Sequence, residues 1–225
     1  FDDLPKLDRQ VIEEYNKFQK SDKKLWKDYK LEDKDILVIN KNVLGNFYLL
    51  TKDKNIKSIF AKKIKTKEDK INIYRVSKFY PKRFEYLIGN FNTKDKNYKI
   101  LGKDNIFYVK YDQDSIKKKF SSLHFLPFLS HEALHYYMQK DWDNVTFRGY
   151  SYNDKELDLL DREYKVLEKI KNALDENADV NTLKNLGKEY LKVMDERFEK
   201  TNPEKIQAEI FEETMEGTAN YVSIK

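Results

Sequence analysis

The chain has 225 residues, of which 40% are hydrophobic and 37% charged, with a formal net charge of +5. That length buries a core of one large domain, or of one domain carrying an insertion, and 16 Tyr with 14 Phe supply the apolar area that highly charged disordered chains lack. The absence of Cys excludes disulfides, thiolate metal sites and cysteine nucleophiles, and 6 Gly with 4 Pro exclude collagen-like and linker-like sequences.

No apolar run approaches the roughly 18 residues needed to cross a bilayer. Only Arg9, Arg75, Arg83, Arg148, Arg162 and Arg197 stand among the 44 cations, and Lys alternates with Asp and Glu throughout. This is the pattern of a solvated surface, and no nucleic-acid partner is expected. The first residue is Phe1 rather than Met, so the expectation is a chain from which an N-terminal segment, such as a signal peptide, has been removed. Together with the Lys content and the absence of Cys, this leads us to expect a secreted or cell-surface bacterial protein, with a lipid anchor one possibility.

In chain order, residues 4–30 carry Leu7, Val11, Tyr15, Phe18, Leu25, Trp26 and Tyr29 near helical spacing, which predicts an amphipathic helix. Five short β-branched or aromatic runs follow, at 36–39, 46–51, 71–76, 98–101 and 106–111, bounded by Asn, Asp, Gly and Lys clusters. They predict an antiparallel or mixed sheet of four or five strands. From about residue 122 the pattern turns helical. Residues 123–141 are the most apolar stretch, with Pro127 suited to a first turn. Residues 154–174 carry Leu157, Leu160, Tyr164, Leu167, Ile170 and Leu174, and residues 180–200 carry Leu183, Leu186, Tyr190, Met194 and Phe198. These two predict a helical hairpin, and a last helix opens at Pro203. The reading is α+β: a sheet-bearing part over residues 1–120, and a helical part over 121–225 with the hairpin 154–200 as an insertion.

The helix at 123–141 contains His131-Glu132-Ala133-Leu134-His135, an HExxH motif. Positions i and i+4 share a helix face, so both imidazoles can bind one zinc ion, while Glu132 reaches a water on that metal as general base. The uncharged flanks predict a helix buried on most sides, where two His and a Glu are costly without a partner. A catalytic zinc needs a third protein ligand. With no Cys, and with no His after His135, a carboxylate is expected. Glu209, Glu213 and Glu216 share one face of the last helix, and Glu212 reads as a solvated acid. Gly217 within that helix costs about 1 kcal/mol against Ala, and the expected compensation is close packing of Gly217 and Ala219 on the HExxH helix.

The HEALH segment with the later Glu216-Gly217-Thr218-Ala219-Asn220-Tyr221 resembles the gluzincin zinc metallopeptidases, in particular the E-G-x-A-x-Y group of aminopeptidase-N-like and related bacterial peptidases. The resemblance covers the active-site helix and the last twenty or so residues, and not the N-terminal half. It implies one zinc ion per chain held by His131, His135 and Glu216, with Glu132 as general base and a peptide or protein substrate. Glu213 is the alternative ligand, or a residue orienting a ligand histidine. The resemblance also implies a zincin-like fold, with an edge strand beside the cleft; residues 106–111 are the candidate for pairing with an extended peptide. Candidates for an oxyanion stabiliser are His124, Tyr150, Tyr152 and Tyr221, and Arg148 is a candidate for a substrate carboxylate. The alternative reading is a zinc-holding, non-catalytic binding protein on a peptidase scaffold.

Overall fold

The computed structural model describes residues 3–21, 24, 26–42, 46–65, 70–93, 96–119, 121–142 and 150–225. It is an α+β structure. Helix α1 spans Lys6–Lys20, shorter than the expected 4–30. It stops at Ser21, whose hydroxyl donates to the Phe18 carbonyl at 2.7 Å. Beyond it, Trp26 and Tyr29 form an isolated bridge about Asp28, whose φ of 62° no helix admits. Leu25 lies outside the described residues.

Five strands follow: β1 (Ile36–Asn40), β2 (Phe47–Thr51), β3 (Ala61–Ile64), β4 (Asn72–Val76) and β5 (Phe107–Tyr111). They form one mixed sheet in the order β3-β4-β2-β1-β5. β1 is antiparallel to β2, with Ile36 opposite Leu50, and parallel to β5, with Ile36 opposite Phe107. The run expected at 98–101 is not a strand. It ends in a turn closed by Ile100 and Lys103, with Leu101 and Gly102 at φ 51° and 79°. The fifth strand is β3, whose sequence Ala-Lys-Lys-Ile lacks the apolar run that marks a strand; it is half-exposed at the sheet edge.

Every residue of β1 and β2 is buried, because both faces of the sheet are covered. Period-two alternation divides the core in two. Ile36, Val38, Phe107, Val109 and Tyr111 face a cluster with α1. Leu37, Ile39, Phe47 and Tyr108 face a second cluster with Tyr86, Tyr98 and Ile100. An unforeseen polar knot fastens α1 to the sheet: buried Asp8 accepts hydrogen bonds from Asn46 Nδ2 at 2.7 Å, Tyr48 Oη at 2.7 Å, Tyr111 Oη at 2.8 Å and Asn40 Nδ2.

After a short helix α2 (Asp114–Lys117) come α3 (Phe125–Met138), α4 (Asp154–Asp175), α5 (Val180–Lys200) and α6 (Pro203–Ile224). α3 packs on β5 and α1. Asn153 and Glu156 form a capping box on α4, and Asp179 caps α5 through the Asn181 and Thr182 amides. α4 meets α5 along Leu159, Glu163, Val166 and Ala173, whereas Leu157, Tyr164, Leu167 and Leu174 of the expected stripe are exposed. Among the described residues, no helix is long and apolar enough to cross a membrane.

By internal contacts the chain forms two compact units, residues 1–142 with 215–225, and residues 143–214. This division follows contact rather than the change of pattern near residue 121. The HExxH helix belongs to the sheet-bearing unit, and α6 contributes residues to both.

Candidate metal centre

α3 starts at Phe125, with His124 as its N-cap and Pro127 in the first turn, where no helical amide bond is required. Phe125, Leu129, Ala133, Leu134 and Tyr136 drive its burial in the sheet-side core. His131 and His135 lie one turn apart on the remaining half-buried face. Their rings are 4.8 Å apart and steeply inclined, and their Nε2 atoms are 3.1 Å apart.

The end of α6 brings a carboxylate to the same place, anchored by Ala219 and Val222 in the core shared with α3. Glu216 Oε2 is 3.2 Å from His131 Nε2, and Oε1 is 3.5 Å from His135 Nε2. Three ligand atoms thus converge, a grouping able to hold a metal ion. Zinc bonds of about 2.0–2.1 Å in tetrahedral geometry place ligand atoms roughly 3.3 Å from one another; each carboxylate oxygen matches that spacing to its nearer ring, and one atom from each of the three residues lies within 4.8 Å of the others, so the donor set fits that ion. Glu216 is half-exposed, which leaves the group accessible to water.

Electrostatics match the same use. Burial, and then the neighbouring His135, hold the His131 imidazole below its ordinary pKa, favouring the neutral form that ligates metals. Glu132 is pushed up to about 7, chiefly by burial and then by the charge of Glu216. A carboxyl with that value is suited to exchanging protons near neutrality.

Gln139 is a neighbour of the ligand group that the motif did not reveal. It is almost fully buried, at 1% exposure. Its amide nitrogen donates to the Met215 carbonyl at 3.1 Å and to Thr218 Oγ1 at 2.6 Å. The amide oxygen therefore turns to His135 Nδ1, with which it forms a short contact. An Nδ1–H donor there leaves the Nε2 lone pair directed at the ligand group. The available signal was spacing: His131, His135 and Gln139 step by four along one helix face. Asn220 also hydrogen-bonds His131 from the next turn of α6 beyond Glu216.

The other expected residues are placed elsewhere. Glu213 is influenced by Glu163, Glu209 and Arg197 rather than grouped with the two histidines. Glu209 accepts from Arg197 and Tyr152 in the second unit, and Glu212 is exposed. His124 Nε2 lies 2.8 Å from Glu14 on α1. Tyr221 stacks edge-on against Trp26 with centroids 5.8 Å apart, and its hydroxyl accepts from Lys225. Tyr150 belongs to the second unit, and Arg148 lies outside the described residues. Among the described residues, a Cβ built at Gly217 meets nothing within 4 Å, so the expected close packing is not seen there, and the buried one of the two small residues is Ala219.

The expected docking edge is also altered. β5 does lie at the end of the sheet, but its outward groups are taken. Ile106 N donates to the Tyr98 carbonyl at 3.0 Å, Tyr108 N to Asn92 Oδ1 at 2.7 Å, and Lys110 N to the Asn90 carbonyl at 2.7 Å. An extended peptide could not pair there without displacing them.

Comparison of the chain with models of known families, with curated proteins and with solved structures found no match in any of the three.

Proposed function

We propose that this protein is a zinc-dependent peptidase whose metal is held by His131, His135 and Glu216. The convergence of two imidazole nitrogens and a carboxylate, with Glu132 adjacent on the same helix, carries the reading. Zinc, when bound, supplies a Lewis acid that lowers the pKa of water and polarises a carbonyl. Glu132 accepts the proton of the attacking water and returns it to the departing amine, a task suited to its raised pKa. Gln139 keeps His135 in the tautomer that presents Nε2 and ties α3 to the turn of α6 that carries Glu216.

The test is metal content by mass spectrometry for the wild type, His131→Ala and Glu216→Gln, followed by hydrolysis of a broad peptide library. About one zinc per chain is expected, lost in His131→Ala and weakened in Glu216→Gln. Glu132→Gln should retain zinc and lose at least about a hundredfold in turnover. No zinc in the wild type after supplying it at neutral pH would overturn the reading. Stoichiometric zinc with no cleavage of any peptide would leave the alternative, a zinc-holding binding protein.

A further inference from the structure

On the sheet face opposite α3 lies a cavity of about 970 Å³, at the upper end of the range of small-molecule sites. Its wall is built from Ile39 and Phe47 of the sheet and from the 3₁₀ turn Pro81–Tyr86. That turn buries Arg83 and Tyr86 and leaves Phe84 outside, 76% exposed; Phe79 at the rim is 74% exposed. Such large apolar side chains in water are more than the scattered exposure normal for a surface.

The charges in the cavity have one sign. Lys41, Lys78, Arg83 and Lys110 line it, and no described lining residue is acidic, although acids and cations alternate along the sequence. Arg83 sits over Phe47, its guanidinium carbon 3.9 Å from the ring centroid. Lys110 Nζ donates to the Leu87 carbonyl at 2.8 Å, and Lys41 Nζ pairs with Asp112 Oδ2 at 3.2 Å, so one acid stands beside the four cations. Each ammonium has three donors, so both retain capacity for an anion. Burial, and then the proximity of Lys41, lower the Lys110 pKa, and an anion beside the two ammonium groups would offset both effects. An apolar wall with an excess of cations selects a molecule that is apolar along its body and anionic at one end.

We propose that this cavity binds a small anionic amphiphile, an apolar chain or ring system ending in a carboxylate, with the acid held between Lys41 and Lys110 and the body against Phe47, Tyr86 and Phe84. The site is separate from the metal centre and does not depend on it.

The test is calorimetric titration with laurate below its micelle-forming concentration, with dodecanol and dodecyltrimethylammonium as comparisons. Saturable one-to-one binding of laurate is expected, at least about tenfold tighter than either comparison and unchanged by a zinc chelator. The Lys41→Gln/Lys110→Gln double variant and Phe84→Glu, all at partly or fully exposed positions, should each weaken laurate about tenfold or more with unchanged circular dichroism. Phosphatidylcholine vesicles with and without oleate distinguish the source of the carboxylate. Binding of laurate alone assigns a free acid, and binding of both laurate and the oleate-bearing vesicles, lost together in the double variant, assigns an acid presented from a lipid surface. No saturable laurate binding, equal affinity for dodecanol, or vesicle binding without laurate binding would overturn the proposal.

Discussion

Gln139 decides which nitrogen of His135 is available. With its amide nitrogen committed to Met215 and Thr218, it has only an acceptor to offer the ring. Gln139→Met keeps the bulk and removes both functions. It is expected to lower zinc affinity by about 10–100-fold, read by competition with a chromophoric chelator, while the far-ultraviolet spectrum stays that of the wild type. Unaltered affinity would show that His135 is oriented by packing alone. Gly217 teaches the opposite lesson. It stands in the interior of α6 with open space where a Cβ would be, so its helix-weakening effect has no packing compensation. Gly217→Ala should therefore stabilise the protein by about 1 kcal/mol in denaturant titration and leave metal binding intact. The HExxH pair was legible because its chemistry demands a fixed spacing and a fixed residue type; Glu216 rested on the resemblance of its segment, with Glu213 left as the alternative. Gln139 was not legible, because a glutamine carries no such signature until its partners are known.

At the scale of the element, α6 divides its acids. Glu216 meets the histidines of α3, whereas Glu209 joins Glu163 about the buried Arg197, with Glu213 close enough to feel their charges. Partial desolvation, and then the neighbouring carboxylates, raise the Glu213 pKa. A folded-state value above the unfolded one means that ionised Glu213 opposes folding, and that this opposition disappears on protonation. Glu213→Gln is thus expected to raise the melting temperature at pH 7, with the gain closing as the pH falls to about 4, the usual carboxylate range. A lower melting temperature at pH 7 would refute this. α3 to α6 were legible to within a few residues because their caps and periodicities are local, as in Asn153-x-x-Glu156, whereas α1 ends ten residues before the expected stop. The line on which α4 packs was not, since it runs through Glu163, whose burial is intelligible only with Arg197 supplied by α5. Nor was β3, whose two lysines are exposed and whose pairing with β4 is a tertiary fact.

At the scale of the molecule, the sheet, α3 and residues 215–225 form one unit, and residues 143–214 another. All three candidate ligands belong to the first. Binding energy is felt by the structure that the ligand requires, so zinc should slow amide exchange in Phe125–Met138 and in residues 215–224 far more than in α4 and α5. Hydrogen-exchange mass spectrometry with and without zinc reads this directly, and uniform slowing of both units would contradict it. The α+β class followed from the order of strand-like and helix-like runs, which is a property of the whole sequence. The partition into units did not, because it depends on a return of the chain to the sheet-side core through Ala219 and Val222 that no local pattern announces.

That return has a consequence for synthesis. A ribosome adds about 5–20 residues per second, so α3 emerges several seconds before the part of α6 that packs with it. In that interval the side of the core awaiting Ala219 and Val222 is uncovered, and the two histidines have no carboxylate beside them. The first unit cannot close until the second has been made. Its assembly is therefore the later event even though most of its residues come first.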